Sequence, residues 1–433
     1  MKRRLLVLVV LLFSGASVRS QNPPPTPLTL KDAEALALKN HPQVLAAQAI
    51  VLELNQHVVE ARSAYFPTLD GEVTGSAGNP QARIGAGYLA ASRLFDRLGT
   101  GILLSQLVTD SGRTPNLVAS SRLEAQASQQ TYQATRYDVL LAVNQAYFGV
   151  LRAQALVKVA QQTVAARQIL SDQVTELAKN KLRSDVDVAF ADVNLSEAKL
   201  LLLRSQDQVR AAYAELTRAL GSQQEESYKL TDEPLPPSPP LEPDSLVAQA
   251  FANRPDLMSL QLQYKSAVRF ERAERDLSFP TVSIVGAGGA IPEMKQILST
   301  PVPNNYEGAA LNVEVPIFNG RLFTARREAA RYHAEAEDQR VRDLQERIAR
   351  DVRVAWSSTK TAYQNIDVTA EMLREASLAL DLAQGRYNLG LSSIVELTQA
   401  QLNLTQAEIE NLDAKYDYQS IYAMLQYTMG LLR

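Results

Sequence analysis

The side chains that most often do chemistry are sparse in this sequence and badly placed for it. Three histidines occur, His41, His57 and His333, and no two stand at the spacing that lets a pair share a metal ion. They read as residues of helix surfaces or helix contacts. Cysteine is absent, so there is no thiolate site, no disulfide framework and no sulfur near the N-terminus to accept a lipid. No phosphate loop, His-Glu-x-x-His run or Gly-x-Ser-x-Gly elbow occurs. The glycine-rich Gly286-Ala287-Gly288-Gly289-Ala290 ends an alternating stretch and precedes no helix, so small residues in a sheet explain it better than a nucleotide does. Carboxylates are abundant, but Lys and Arg are interspersed among them as on solvated helix faces. No catalytic residue, no cofactor and no metal ligand is expected.

What stands out instead is a turn. Arg386-Tyr387-Asn388-Leu389-Gly390-Leu391-Ser392-Ser393 interrupts two long amphipathic segments. Before it, Ile366, Leu373, Leu380 and Tyr387 fall at seven-residue steps, with Ala362, Ala376 and Ala383 beside them, the pattern of a coiled-coil seam. After it, Leu397, Leu402, Leu404, Ile409 and Leu412 continue an apolar period. Gly390 can take the positive φ that ends one helix, and Ser392 or Ser393 can cap the next. The expectation is a helical hairpin with this turn at its tip.

The 433 residues suffice for two or three ordinary domains or one long architecture. Residues 1–20 read as a secretory signal: Lys2-Arg3-Arg4, an apolar run from Leu5 to Phe13, then small residues to Ser20. The run is too short for a membrane anchor, which needs roughly 20 residues. Removing Lys2, Arg3, Arg4 and Arg19 leaves 40 of the 44 basic residues against 47 acidic ones, a net charge of −7. That balance argues against nucleic acid as a partner, because phosphate binding needs a basic surface. No later apolar stretch spans a bilayer, so entry into a membrane would have to be as β-structure.

The chain is written twice. A Pro-rich stretch over 221–243 divides a first repeat, 21–220, from a second, 244–433. Asn40-His41-Pro42 answers Asn253-Arg254-Pro255, and Phe66-Pro67-Thr68 answers Phe279-Pro280-Thr281, both at an offset of 213. Asp110-Ser111-Gly112-Arg113 answers Phe318-Asn319-Gly320-Arg321 at 208. The seam itself repeats at 209, with Val143, Ala146 and Val150 mapping onto Val352, Ala355 and Thr359. Trp356 falls on Tyr147 in this frame and therefore reads as helix packing. Each half is helix, strand, strand, long helix, turn, long helix, with the long arms expected over Pro115 to Lys179 and Leu322 to Asn388. At 1.5 Å per residue such arms measure on the order of 100 Å, longer than any ordinary core.

Strands are expected over Thr68–Gly78, Leu98–Val108, Thr281–Ala290 and Ala309–Ile317, forming β-hairpins over about 68–108 and 281–317. Each is close to the 9–11 residues of a tilted membrane strand, and the connections from Asn79 to Arg97 and from Ile291 to Gly308 are long, as external loops of membrane barrels are. Two small soluble hairpins packed on helices would show the same pattern. Four strands cannot close a barrel, and lipid does not tolerate open edges, so a membrane role requires several copies to build one wall.

Leu311-Asn312-Val313-Glu314-Val315-Pro316-Ile317-Phe318-Asn319-Gly320-Arg321 resembles the last strand and turn of TolC-like outer-membrane efflux proteins. Tyr65-Phe66-Pro67-Thr68-Leu69, the tip from Arg386 to Ser392, and Ala400-Gln401-Leu402 resemble the same family, in order and in both halves. The resemblance implies a mainly α fold with membrane β: a homotrimer whose subunits give four strands each to a twelve-stranded barrel in outer-membrane lipid. That barrel continues as a periplasmic α-helical barrel, with an equatorial belt at the mid-chain linker. It implies a passive exit duct coupled through a periplasmic adaptor to an inner-membrane pump, for drugs or toxic compounds, with type I protein secretion as the sibling role.

Residues carried over by that resemblance are the adaptor-contacting tips: Leu389, Gly390, Leu391 and Ser392 near 388–393, and Asn180, Lys181, Leu182, Arg183 and Ser184 near 180–184. Lys181 stands where the second tip has Gly390, so the first turn is expected to be shaped differently. Asp381, six residues before Tyr387, matches the acidic ring that narrows the periplasmic entrance in the family; otherwise it is a solvated helix-surface aspartate. A rival of another class is a soluble periplasmic coiled-coil scaffold or adaptor. An adaptor would carry many short strands flanking one helical hairpin, whereas this chain has two hairpins and no such region.

Overall fold

The computed structural model describes residues 26–77, 97–222, 228–239, 242–294 and 304–432. The expected signal over 1–20 lies outside the described residues, as do 78–96 and 295–303 within the two inter-strand connections. The elements follow the duplicated order. The first half runs β1 (Thr26–Leu28), α1 (Leu30–Asn40), α2 (Pro42–Ser63), β2 (Thr68–Ser76), β3 (Arg97–Thr109), α3 (Arg113–Lys179) and α4 (Asp185–Ala219). The second runs β4 (Tyr228–Leu230), α5 (Pro243–Asn253), α6 (Pro255–Asp276), β5 (Thr281–Met294), β6 (Asn305–Glu314), α7 (Leu322–Asn388) and α8 (Ile394–Thr428). Corresponding helices have equal lengths, 67 residues for α3 and α7 and 35 for α4 and α8.

Local chemistry sets these limits. Pro42 and Pro255 open α2 and α6, where a missing N–H costs nothing, and the His41 ring Nδ1 accepts the Gln43 N–H at 3.3 Å. The arm α3 starts after Ser111 and Gly112 at φ 58° and 108°, and α7 after Gly320 and Arg321 at 60° and 69°. Asp110 holds the first of these corners by accepting the Thr114 N–H at 2.6 Å. The last strand is Asn305–Glu314, earlier in the chain than the Ala309–Ile317 its alternation predicts. It stops at Glu314 because Pro316 has no N–H for a ladder, and Val315 and Ile317 lie beyond it, exposed.

Helices and strands share one lateral order. The sheet runs β2-β3-β5-β6, antiparallel throughout. Beneath it α2 packs on α3, α3 on α6 and α6 on α7; farther down, α4 packs on α3, α3 on α8 and α8 on α7. Near the tips Ile366, Leu373 and Leu380 of the seam are only half-buried, as in a wall one helix thick. Fuller cores form at mid-height. One gathers Val143, Ala146, Tyr147, Val150 and Leu216, the other Val352, Ala355 and Leu425, the equivalent positions. Trp356 packs at the border of the second cluster, as expected of helix packing. Tyr147 is fully buried; its hydroxyl lies 2.9 Å and 2.7 Å from the carbonyl oxygens of Leu28 and Thr231. It thereby ties β1 and β4, which pair in parallel, to the long arm. The linker packs on this level, with Tyr418 donating to the Pro237 carbonyl at 2.5 Å.

The repeated Asn-x-Pro motif has a packing reason. Gly221 and Gly430 end α4 and α8 at φ 73° and 69°. A Cβ on Gly221 would lie 2.7 Å from His41 Cα, and one on Gly430 would lie 2.9 Å from the Asn253 carbonyl carbon. Gly221→Ala should therefore cost more than the ~1–2 kcal/mol of a left-handed residue with a side chain. At Gly149, inside α3, a Cβ would meet nothing within 4 Å, and Ala there should stabilise by roughly 0.5–1 kcal/mol. Denaturation midpoints read from the helical dichroism signal check both.

Candidate functional site

The sheet has two unlike faces. Register sets Leu69 opposite Leu104, Gly71 opposite Ile102, Ile284 opposite Leu311 and Val282 opposite Val313. With Val73 and Leu98 these project from one face, and Leu69 and Val73 are 66% and 75% exposed. The other face carries Thr68, Asp70, Glu72 and Thr74 on β2 and Asn312 and Glu314 on β6, with Leu103, Leu107 and Val285 between. An apolar face of this breadth opposite an acidic one fits hydrocarbon on one side and water on the other. The Tyr306 ring lies over Gly289 and Gly101 on the polar face, where a Cβ on either glycine would strike its hydroxyl. The glycine cluster thus makes room for an aromatic across three strands.

Both edges of this sheet are open, since β2 and β6 each have one neighbour among the described residues. The helices below end the same way. At one side α4 exposes Val186, Phe190, Val193, Leu200 and Leu203; at the other, α7 exposes Val368, Met372, Leu378 and Leu382. Counted from the two tips these stripes lie level. Phe190 is six residues past Ser184 and Leu382 seven before Leu389; Leu200 is sixteen past and Met372 seventeen before.

The two tips are shaped alike, contrary to the sequence expectation. Lys181 adopts φ 60° and Gly390 φ 73°. In the first tip the Lys181 N–H donates to Ala178 O and the Leu182 N–H to Leu177 O, both at 2.9 Å. In the second the Gly390 N–H donates to Tyr387 O at 3.0 Å and the Leu391 N–H to Arg386 O at 2.8 Å. Both are the same paired capping of the last helical carbonyls, and the lysine accepts the left-handed backbone because two hydrogen bonds hold it there. Asn180 caps α3 and Leu389 caps α7. Leu182, Leu389 and Leu391 are 70%, 76% and 66% exposed, so each tip presents apolar side chains to solvent. Of the two serines, Ser393 is the cap of α8 and Ser392 Oγ is buried without a hydrogen-bond partner. Ser184 caps α4 and exchanges bonds with Asp187.

The structure also brings the tips together, through contacts the sequence did not suggest. Leu170, Val174, Ala191, Ala383, Tyr387, Ile394 and Leu397 form one buried cluster from all four arms. Arg183 reaches from the first tip, lying 4.3 Å from the Tyr387 ring centroid and donating from Nη2 to the Tyr387 carbonyl at 3.2 Å. Burial raises the pKa of the Tyr387 phenol, whose oxygen has no hydrogen-bond partner. Arg386 pairs with Glu396 at 3.0 Å across the second turn; opposite charges flanking Gly390 are the signal that would have revealed this pair. Asp381 is exposed and forms no ion pair among the described residues. No cluster of His, Asp or Glu able to hold a metal occurs among the described residues.

A family model described as "Outer membrane efflux protein" matches this chain twice, over residues 35–222 and 246–431. The chain is 24% identical to the outer membrane efflux protein BepC of Brucella suis, over 98% of this chain and 90% of that one. It is 21% identical to the outer membrane protein TolC of Escherichia coli, over 100% and 87%. Among solved structures, CusC superposes with a TM-score of 0.80 at 20% identity, covering 93% of this chain and 92% of that one.

The shared geometry of the tips makes opposite expectations for two substitutions. Lys181→Gly should relieve a left-handed residue and Gly390→Ala should create one, each shifting local stability by about 1 kcal/mol. Amide hydrogen exchange at the two turns should slow in the first variant and quicken in the second.

Proposed function

The chain belongs to the outer membrane efflux protein family, and on that premise we propose that it serves as the trimeric outer-membrane exit duct of a tripartite efflux system. It passively conducts small toxic compounds delivered by a periplasmic adaptor and an inner-membrane pump. The observation that carries this reading is the agreement of the two lateral edges. One side of the wall ends in β2, α2 and α4, the other in β6 and α7, and neither is completed within one chain. An edge of one kind joined to an edge of the other is a head-to-tail contact, which closes into a ring when the rotation allows. Three copies supply twelve strands, with Leu69, Ile102 and Leu311 facing lipid and Asp70, Glu72 and Glu314 facing the water-filled lumen.

Transport then needs no catalysis from this chain: energy enters at the pump. The exposed leucines of both tips, Leu182, Leu389 and Leu391, offer the adaptor an apolar contact on a rigid scaffold, with Asn180, Lys181, Arg183, Ser184, Gly390 and Ser392 shaping it. Three Asp381 carboxylates around the axis narrow the entrance and favour cations.

The absence of native cysteine makes the edge contact directly measurable. A chain carrying both Phe190→Cys and Leu382→Cys should oxidise to covalent species up to the trimer, whereas each single variant stays monomeric on a denaturing gel. Monomers from the double variant, or release of the protein from membranes by salt without detergent, would favour a periplasmic scaffold instead.

Two further variants separate tip from gate. Leu391→Glu should abolish complementation of an efflux-deficient strain while trimers persist, and full export would remove the tip from adaptor docking. Asp381→Ala should lower the cation preference of single channels in planar bilayers, and an unaltered preference would take Asp381 out of the gate.

A further inference from the structure

We propose that a cleft on the polar face of the sheet binds a protonated amine that carries an apolar group. The ammonium sits among Glu72, Thr74 and the Tyr306 hydroxyl, and the apolar body lies against Ile291 and the Tyr306 ring. The cleft has a volume of about 300 Å³ and is lined by these four residues together with Gly99, Thr100 and Gly101. That size lies at the lower end of the range for small-molecule sites, which join an apolar lining to a few convergent polar groups. All of its walls belong to one chain, so binding does not depend on assembly. Its use, as a stopping point for cationic compounds in the lumen, rests on the duct reading above.

Register builds the site. Glu72 stands opposite Gly101, Gly101 opposite Gly289 and Gly289 opposite Tyr306, one row across all four strands. With no side chain at the two middle positions, the Tyr306 ring reaches back along this row. Its hydroxyl lies where a Cβ on Gly101 would be, one strand away from Glu72. Neighbouring strands are about 4.8 Å apart, so the phenol and Glu72 flank a gap that an ammonium can bridge. Neither side chain has a hydrogen-bond or ion-pair partner among the described residues, and Tyr306 is 45% exposed. Charge then selects the ligand. The polar face carries Asp70, Glu72 and Glu314, and no lysine or arginine among its described side chains, so it repels anions. Glu72, Thr74 and Tyr306 offer oxygen acceptors from three sides, and an ammonium brings three donors and one positive charge. A neutral alcohol brings one donor and no charge. A small ammonium without an apolar body leaves Ile291 and the Tyr306 ring uncovered.

Calorimetry near neutral pH on the detergent-solubilised full chain, against a micelle blank, distinguishes these cases with benzylammonium, benzyl alcohol and methylammonium as probes. Benzylammonium should bind saturably, one per chain, and more tightly than either of the others. Glu72→Gln should weaken it roughly tenfold, the loss expected for one charge-assisted hydrogen bond. Gly101→Ala keeps both polar groups but drives the Tyr306 ring from its place, and should weaken binding as well. Asp70→Asn, the neighbouring carboxylate on the same face of β2, should leave the affinity close to that of the unaltered chain. Benzyl alcohol or methylammonium binding as tightly as benzylammonium, no saturable heat at millimolar benzylammonium, affinity unmoved in Glu72→Gln, or an equal loss in Asp70→Asn would each overturn the assignment. Conductance in planar bilayers keeps the two readings apart: channels without saturable binding would sink the cleft alone, and binding without channels the duct alone.

Discussion

A backbone amide in hydrocarbon has no water to turn to, and this single cost governs the architecture. Within the sheet every ladder between β2 and β6 is made, and the cost is displaced to the two outer strands. Nothing in the described chain covers them. An unsatisfied backbone group in lipid is worth several kcal/mol, so a lone subunit in a membrane would carry that penalty along two whole strands. The apolar stripes on α4 and α7 repeat the problem in water, where the penalty is exposed hydrophobic surface rather than unpaired amides. Strand edges and helix edges lie in one lateral order, so the head-to-tail contact between copies proposed above would relieve both.

Much of this was legible in the sequence because the signals are local. The long arm α7 runs from Leu322 to Asn388 as read from its heptads, since Gly320 and Arg321 before it and Gly390 after it take positive φ. The break at His41-Pro42 and the strand starts at Thr68 and Thr281 follow from proline. Less local features were not legible. The order β2-β3-β5-β6 depends on how two hairpins meet, and alternation within each strand carries no record of its neighbour. Arg183 over Tyr387 joins residues 204 apart in sequence. Lys181 misled for a different reason. Residue preference speaks for the isolated turn, whereas the hydrogen bonds to Ala178 and Leu177, made by both arms in the same frame, decide the backbone.

Duplication explains which features recur and which diverge. The recurring ones fix the frame: the proline that opens α2 and α6, the glycine that closes α4 and α8, and the pair of left-handed corners before each long arm. The diverging ones sit where the two halves have different neighbours. Tyr147 holds β1 and β4 through its hydroxyl, while its counterpart Trp356 sits at the edge of a core with Lys360 5.3 Å from its ring centroid. At the tips, Asp187 bonds back to the cap of its own helix, while Glu396 reaches across to Arg386.

Equal helix lengths are then a mechanical requirement. Seven-residue packing keeps α3 against α8 and α7 against α8 only while all the seams advance together. The tips end level, as Arg183 against Tyr387 requires, only if both arms contain the same number of residues. A residue added to one arm would turn its seam by about 100° and raise its tip by 1.5 Å. Four arms of matched length, two of 67 residues and two of 35, present both turns in one plane. Two turns held at one level by Arg183 and the buried cluster exist only because the two halves have kept the same count.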